Sequence, residues 1–541
     1  MKSFEQKNSN DVKRTGINRR QFILRTSSAA AIPFLLNGIP IRALEGSTLD
    51  QLFNTTEESD RVLVLLQLAG GNDGLNTIIP LDQYSKYSSL RPSVAIPEAA
   101  AIDLKNGSGL HPTLTSIKTL YDQKKVGIVQ GVTYPNPNLS HFRSSDIWMS
   151  GSASNVNWST GWMGRYLNTL YPGYPTGYPN TTMPDPVAIQ MTAVVGLTLI
   201  GAAGQSMGMA LQDPETFYSL VNGTDAPSGD LPSTAYAAAN VEFVREVQVK
   251  SIEYSAVIKD AADKAQNVAT YPANNKLADQ LKIVARLVAG GLKTRVYVVQ
   301  LNGFDNHSAQ VDSTDPTIGD HATLLQTVND AVTAFQQDLE ALKVDDRVVT
   351  MSFSEFGRRP ASNLSLGTDH GTAAPMLFVG TQVQDGITGH SPDLEDLDNG
   401  NLKMQYDFRQ IYASVLEQWF GADHATITSI LGTDFTTVRV IKNGTTNVLE
   451  DQQGTGCALQ PITPNPVRDG AVIRYRIESA QDVRLDVFDA LGFHVQTLVS
   501  QQQQAGSYEV AFNSTPMPSG TYMVQLVAGS QRLAQHMVVV R

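Results

Sequence analysis

The chain has 541 residues, of which 41% are hydrophobic and 17% charged, and its formal net charge is −12. This length predicts two or three structural units, or one large α/β domain with an appendage, and the acidic balance excludes an electrostatic partnership with nucleic acid. The single cysteine, Cys457, excludes an intramolecular disulfide framework and a multi-cysteine metal site.

Residues 1–45 have the organisation of a targeting segment rather than of a folded domain. A basic stretch ends at residues 18–24 (NRRQFIL), and a short apolar stretch follows at 29–41. Because a span of the bilayer takes about 20 apolar residues, we expect no transmembrane anchor in the mature chain. The paired arginines resemble the twin-arginine signal, which implies the twin-arginine translocase as a partner. An ordinary secretory signal is the alternative, and both interpretations predict export, with the periplasm as the first compartment reached.

The mature chain begins with a buried strand and a glycine-rich turn. Residues 61–68 (RVLVLLQL) are continuously apolar, which is typical of a parallel-sheet strand covered on both faces, and Asp73 lies in the turn that follows. A second strand at 126–132 leads through a loop rich in proline and asparagine to Ser140 and His141. Polar side chains therefore follow both strands.

The most regular part of the chain has the pattern of a βαβ unit. A strand at 295–301 is followed by a turn that carries Asp305 and His307, then by a long amphipathic helix, and then by a strand at 347–353 that precedes Glu355. The right-handed crossover of such a unit brings the ends of both strands to the same edge of the sheet. We therefore expect these three side chains to be neighbours.

A last polar group, Asp369 and His370, lies just before the strand predicted at 375–380. Open α/β sheets bind ligands at the carboxyl ends of their strands. Carboxylates and imidazoles are ligands for divalent metals such as Zn, Mn or Mg, and a group of acids and histidines is costly to bury together without a cation. The combined pattern predicts a metal site or a phosphate-type site.

The segment 460–541 follows a linker at 448–459 and differs in character from the rest of the chain. Its short strands recur at roughly even spacing, which predicts an antiparallel sandwich. Residues 464–466 (PNP) and 518–522 (PSGTY) resemble the type IX secretion sorting domain of Bacteroidota. That resemblance implies the type IX secretion machinery as a partner and delivery to the cell surface or medium. An Ig-like adhesive module predicts the same sandwich and is the alternative.

The large domain, residues 58–447, carries four motifs that resemble the exported domain-of-unknown-function family 1501. These motifs are AGGNDGLN (69–76), GFDNH (303–307), FSEFGR (353–358) and GTDHG (367–371). The family is similar to the alkaline-phosphatase and sulfatase superfamily. The resemblance implies an α/β fold with a mostly parallel sheet flanked by helices.

The same resemblance implies roles for particular residues. Ser140 matches the nucleophile and Arg143 its anion-binding partner. In a hydrolase, Arg143 or Arg358 would offset charge in the transition state. The superfamily has an Asp-His pair where this chain has Glu355 and Phe356, so Asp369 or His321 is the expected replacement for the missing imidazole. The metal ligands implied are Asp73, Asp305, His307, Glu355, Asp369 and His370.

Two functions follow from these expectations. The first is a metal-dependent hydrolase of phosphate or sulfate esters, acting on a small-molecule or glycan-linked substrate. The alternative is a secreted or surface binding protein that keeps the fold without turnover. Stoichiometric metal in the purified protein favours the enzyme.

Overall fold

A computed structural model of the chain describes residues 35–36, 39–40, 60–221, 235–442 and, with short gaps, 458–540. The arginine pair at 19–20, Cys457 and most of the predicted linker lie outside these residues. The chain divides into two compact units, Met1–Ser59 and Asp60–Arg541. In the first unit the structure describes two short antiparallel strands, β1 (Leu35–Leu36) and β2 (Ile39–Pro40).

The second unit begins with an α/β domain whose elements alternate along the chain. Its strands are β3 (Val62–Ala69), β4 (Ile78–Pro80), β5 (Ile102–Asp103), β6 (Ser108–Leu110), β7 (Val126–Thr133), β8 (Ala188–Gln190), β9 (Met209–Ala210), β10 (Val296–Asn302), β11 (Val348–Phe353), β12 (Arg358–Ser362), β13 (Thr368–His370), β14 (Ala374–Val379), β15 (Gly386–Thr388) and β16 (Tyr406–Asp407). Its helices are α1 (Gly74–Thr77), α2 (Tyr84–Leu90), α3 (Thr115–Asp122), α4 (His141–Ser150), α5 (Trp162–Leu170), α6 (Pro214–Val221), α7 (Ala235–Lys264), α8 (Lys276–Ala289), α9 (Asp320–Ala341), α10 (Phe408–Ser414) and α11 (His424–Leu431). A π turn, Val415–Trp419, continues α10.

Nine strands form the central sheet in the order β15-β7-β14-β11-β3-β10-β8-β9, with β16 also beside β7. Strands β11, β3, β10, β8 and β9 are parallel to one another, and β14 runs antiparallel to both β11 and β7. Strands β15 and β16 are parallel to β7. The sheet is therefore mostly parallel, which confirms the predicted fold class.

Strand β3 shows why the sheet is covered on both faces. Val64 and Leu66 belong to one hydrophobic core cluster, whereas Leu63 and Leu65 belong to another. Successive side chains of a strand point to opposite faces, so the two clusters lie on the two sides of the sheet. This double burial is the reason for the continuous apolar run in the sequence.

The direction of the strands decides which loops meet. Strands β3, β7, β10 and β11 all point to one edge of the sheet, and β14 begins at that same edge because it runs the other way. The segments after the first four strands and the segment before β14 therefore share one end of the domain.

The C-terminal region is all-β, as predicted. It contains two antiparallel sheets, with the strand orders β17-β18-β21 and β20-β19-β22-β23, and they enclose a hydrophobic cluster of their own. The strands are β17 (Ala458–Leu459), β18 (Gly470–Ile477), β19 (Gln481–Asp489), β20 (His494–Gln503), β21 (Gly506–Asn513), β22 (Gly520–Ala528) and β23 (Gln531–Val539). Among the described residues of the whole chain, no helix is long and apolar enough to cross a membrane.

Candidate functional site

The loop after β10 carries Asp305 and His307 to the carboxyl edge of the sheet. Phe304 anchors this loop, since its side chain is buried and its backbone N–H donates to the carbonyl of Ala69 at the end of β3. Gly70 allows the two loops to touch: its φ is +123°, and a Cβ there would lie 2.4 Å from the backbone nitrogen of Asp305. The glycine of the first motif thus serves a close approach of two backbones.

His141 is the first residue of α4 and reaches the same place from β7. Its Nδ1 lies 2.8 Å from Oε1 of Glu355, which also accepts a hydrogen bond from the backbone of Gly70 at 2.9 Å. The hydroxyl of Ser144, one turn along α4, donates to the carbonyl of Glu355. These contacts fix the start of the helix against the end of β11.

The hairpin β12–β13 supplies the remaining groups. The Nδ1 of His370 lies 2.8 Å from the carbonyl oxygen of Leu139, and the Nδ1 of His307 lies 3.3 Å from Oδ1 of Asp369. Asn363, at the tip of the hairpin, donates to the carbonyl of His307 at 2.8 Å. The hairpin therefore positions both imidazoles.

Three imidazole Nε2 atoms converge on the carboxylate of Asp305. The Nε2 of His141 lies 3.3 Å from Oδ2, and the Nε2 atoms of His307 and His370 lie 3.2 and 3.3 Å from Oδ1. The two latter Nε2 atoms are 2.9 Å apart. Ligand atoms of His141, Asp305 and His370 all lie within 4.8 Å of one another, which is close enough to share one metal ion. We call His141, Asp305, His307 and His370 the imidazole cluster.

Arg358 favours the ionised form of the Asp305 carboxylate. Burial raises the pKa of Asp305, but the hydrogen bond and the positive charge of Arg358, whose Nη2 lies 2.6 Å from Oδ1, outweigh it and lower the pKa to about 2. Burial lowers the pKa of His370. The cluster therefore combines an ionised carboxylate with at least one imidazole that favours its neutral form.

Asp73 does not join the imidazole cluster. Its carboxylate is buried and forms an ion pair with Arg91 at 2.8 Å, accepts from the side chain of Gln310 at 2.5 Å, and caps α1 through the backbone nitrogens of Leu75 and Asn76. Burial raises its pKa, yet the charge of Arg91 and these hydrogen bonds lower it below the usual value. Asp73, which was predicted to be a metal ligand, is instead part of an internal ion pair.

The other predicted site residues lie around the cluster. Ser140, exposed, is the N-cap of α4 and stands between Leu139 and His141, which both contact the cluster. Arg143 donates to the carbonyls of Ser154 and Val156. Arg358, in addition to Asp305, donates to the carbonyls of Gly70, Gly71, Phe304 and Thr368.

The sequence placed His141 beside Ser140 after a buried strand but assigned it no role, and it did not indicate Arg91. Arg91 lies 18 residues after Asp73 in a segment without periodicity, and nothing in the sequence links the two. His321, an expected substitute imidazole, is buried, and its Nε2 lies 3.0 Å from Oδ1 of Asn72.

A separate apolar cavity of about 410 Å³ lies at the β8 and β9 end of the sheet. Tyr174, Val194, Met209 and Lys250 are among its lining residues, and none of the imidazole cluster lines it. The cavity is therefore not part of this site.

Comparison with known proteins gives two family matches. Residues 125–444 match the family described as "Protein of unknown function (DUF1501)", and residues 461–540 match the "Secretion system C-terminal sorting domain". The second match indicates export to the cell surface or medium. No curated protein matches the chain.

Solved structures give partial likenesses. A protein of the alkaline phosphatase superfamily from Vibrio parahaemolyticus aligns with 79% of this chain and 78% of its own, with 9% identity and a TM-score of 0.34. Dimeric latent PorU from Porphyromonas gingivalis aligns with 16% of this chain at 24% identity and a TM-score of 0.14. This chain spans 9% of that PorU structure.

Proposed function

The chain belongs to the DUF1501 family, and from that premise we propose that its α/β domain is an exported, metal-dependent hydrolase of phosphate or sulfate esters. The observation that carries the proposal is the imidazole cluster. Three imidazoles and an ionised carboxylate at the carboxyl edge of a parallel sheet suit a divalent cation such as Zn, Mn or Mg.

A bound divalent cation would polarise an ester oxygen and lower the pKa of a hydroxyl or water beside it. Ser140 is the proposed nucleophile. Serine at an N-cap usually accepts a hydrogen bond from its own helix, but Ser140 makes no capping hydrogen bond. Its exposed hydroxyl also lies at the positive end of the α4 dipole, which favours the alkoxide.

The test is a panel of chromogenic phosphate and sulfate esters with metal-supplemented protein. We expect turnover of at least one ester, and we expect Ser140→Ala to lower kcat/KM by about 100-fold or more, equivalent to roughly 3 kcal/mol of transition-state stabilisation. Ser89→Ala, an exposed serine on α2, is the matched control and should change nothing. Failure of the metal-loaded protein to turn over any ester would contradict the proposal.

A second candidate, a binding protein without turnover, is favoured by the two arginines. Arg143 and Arg358 are the cations expected to offset transition-state charge, yet the guanidinium of each donates to backbone carbonyls, and that of Arg358 also holds Asp305. In that case a glycan or another envelope component would bind at the cluster, and the ester panel would show binding of an ester analogue without hydrolysis.

The route of export is also part of the proposal. Residues 18–24 would direct the chain to the twin-arginine translocase, and the C-terminal domain to the type IX machinery. Replacing Arg19 and Arg20 by lysine should leave precursor in the cytoplasm. Normal export of that variant would favour the ordinary secretory route.

A further inference from the structure

We propose that the imidazole cluster binds one cation of the zinc class through His141, His307, His370 and Asp305, and that Arg91 takes the place of any second cation at Asp73. The inference rests on the proposed function only in taking the site to be metal-binding. It adds the ligand set, the class of metal and the stoichiometry.

The hydrogen bonds of the Nδ1 atoms fix the direction of the lone pairs. The Nδ1 of His370 faces a carbonyl oxygen, and the Nδ1 atoms of His141 and His307 face the carboxylates of Glu355 and Asp369. Since these oxygens only accept, each Nδ1 carries a proton, which leaves the Nε2 lone pair of each ring for a metal ion. All three lone pairs then point at the carboxylate of Asp305.

The Nε2 lone pairs and the carboxylate of Asp305 repel one another unless a cation lies between them. The Nε2 atoms of His307 and His370 face each other at 2.9 Å, and the Nε2 of His141 is buried without a hydrogen-bond partner in the part of the chain that the structure describes. A buried polar atom without a partner costs about 1–3 kcal/mol. A metal ion held by His141, Asp305 and His370, whose ligand atoms lie within 4.8 Å of one another, would remove this repulsion, and the Nε2 of His307, 2.9 Å from that of His370, borders the same position.

The separations between the carboxylate of Asp305 and the imidazoles are those of ligands around a small tetrahedral ion. Ligand atoms 2.0–2.1 Å from a tetrahedral Zn²⁺ lie about 3.3 Å apart. The Nε2 of His141 lies 3.3 Å from Oδ2 of Asp305, and the Nε2 atoms of His307 and His370 lie 3.2 and 3.3 Å from its Oδ1. Three imidazoles also favour Zn²⁺ or Co²⁺ over Mg²⁺ and Ca²⁺, which prefer oxygen ligands.

Glu355 and Asp369 are positioning residues in this assignment and not ligands. Each binds the Nδ1 of a ligating imidazole, and such partners orient the ring and raise its basicity. Glu355 is further committed to the backbone of Gly70.

Asp73 excludes a second cation because its charge is already balanced. Both carboxylate oxygens lie within 3.0 Å of Nη1 of Arg91, and Arg91 is fully buried. Gln310 and two backbone nitrogens take the remaining acceptor positions. A cation would have to displace a buried guanidinium.

Equilibrium metal binding tests the inference without reference to turnover. The full-length protein is stripped with a chelator and titrated with Zn²⁺, Co²⁺ and Mg²⁺ in separate calorimetric experiments. We expect one Zn²⁺ or Co²⁺ per chain, the strong visible absorption of tetrahedral Co²⁺, and no competition by Mg²⁺. Alanine at His141 or at the partly exposed His307 should weaken Zn²⁺ binding by about 100-fold or more.

The exposed histidines His390 and His424 provide the matched controls, and alanine at either should leave the affinity unchanged. Two cations per chain, no stoichiometric Zn²⁺, or unchanged affinity in the His307→Ala protein would overturn the assignment. Because His307 is a surface residue, loss of folding cannot obscure that last result. Zinc binding without ester turnover would refute only the hydrolase, whereas turnover without zinc would refute only this inference.

Discussion

Glu355 is a carboxylate that acts on the cluster through another side chain. It holds Nδ1 of His141 at 2.8 Å and the backbone of Gly70 at 2.9 Å. Glu355→Gln keeps the shape but replaces a charged acceptor by a weaker neutral one. We therefore expect Zn²⁺ affinity to fall by about 10- to 100-fold with the fold intact, as calorimetry would measure. Glu395→Gln, at an exposed ion pair, is the control, and an equal loss there would contradict the positioning role.

The Asp73–Arg91 pair is an internal support of the turn after β3. Arg91→Met should lower the free energy of unfolding by about 3–5 kcal/mol, because it leaves a buried carboxylate without its counter-charge. Urea unfolding measures the change. Lys118→Met, which breaks the more exposed Lys118–Asp122 pair, should cost about 0.5 kcal/mol or less. Similar decreases in the unfolding free energy of the two variants would show that the buried ion pair stabilises the protein no more than the exposed one.

At this scale the sequence led to Asp305, His307 and His370 because each follows or precedes a strongly apolar strand. The sequence could not distinguish a metal ligand from a residue that only holds a ligating histidine in place. Glu355 and Asp369 lie at predicted positions, but each faces the Nδ1 atom of a histidine of the cluster. Nor could it show that Asp73 meets Arg91, since that contact depends on a loop conformation without periodicity.

Among the elements, the long buried strands and α9 follow from their patterns, and the exposed or short ones do not. The long amphipathic helix predicted between the two strands is α9, and Leu325, Val332 and Phe335 on its apolar face are all buried. Strand β20 has no pattern that predicts it, because its polar sequence, HVQTLVSQQQ, is exposed along most of its length and shows no alternation. Strands β8 and β9, three and two residues long, are too short for a period to emerge.

The start of α9 packs against the segment that follows β6 through two buried histidines. The rings of His111 and His321 meet edge to face at 6.1 Å. Burial lowers the pKa of His111 to about 3 and that of His321 to about 4, the second despite the opposing charge of Asp73. Both imidazoles are neutral in the folded protein at pH 5, whereas both would be largely protonated in the unfolded chain.

Because the folded pKa values lie below the unfolded value of about 6.5, the unfolded state binds more protons between pH 6.5 and 4. The contribution of these two imidazoles to the free energy of unfolding is therefore fully present above pH 6.5. It falls as the pH drops, by up to about 1.4 kcal/mol per pH unit for each buried imidazole. His111→Asn keeps an acceptor for Thr113 but does not titrate, so its unfolding free energy should depend less steeply on pH. Urea unfolding at pH 7.5, 6 and 5 measures the slopes. The exposed His424→Asn variant should keep the wild-type slope, and identical slopes for His111→Asn and wild type would refute this account.

On the scale of the whole molecule, the C-terminal sandwich has the features of an independent module. Its core cluster shares no residue with the two clusters of the α/β domain. The family match at 461–540 coincides with it and assigns it to sorting. Folding of the large domain and delivery of the chain should therefore be separable.

A chain that ends at residue 459 tests this separation. The truncated protein should keep the thermal transition of the α/β domain and its cation binding, because no core residue of that domain is removed. It should nevertheless accumulate in the periplasm, because the segment that the secretion machinery reads is gone. Cell fractionation with a surface-accessibility assay measures the distribution.

Full-length His307→Ala, altered at the cluster but intact at the C-terminus, is the control and should reach the surface or medium like wild type. Surface delivery of the truncated chain at the wild-type level would refute the sorting role, and loss of its thermal transition would show that the two parts fold as one.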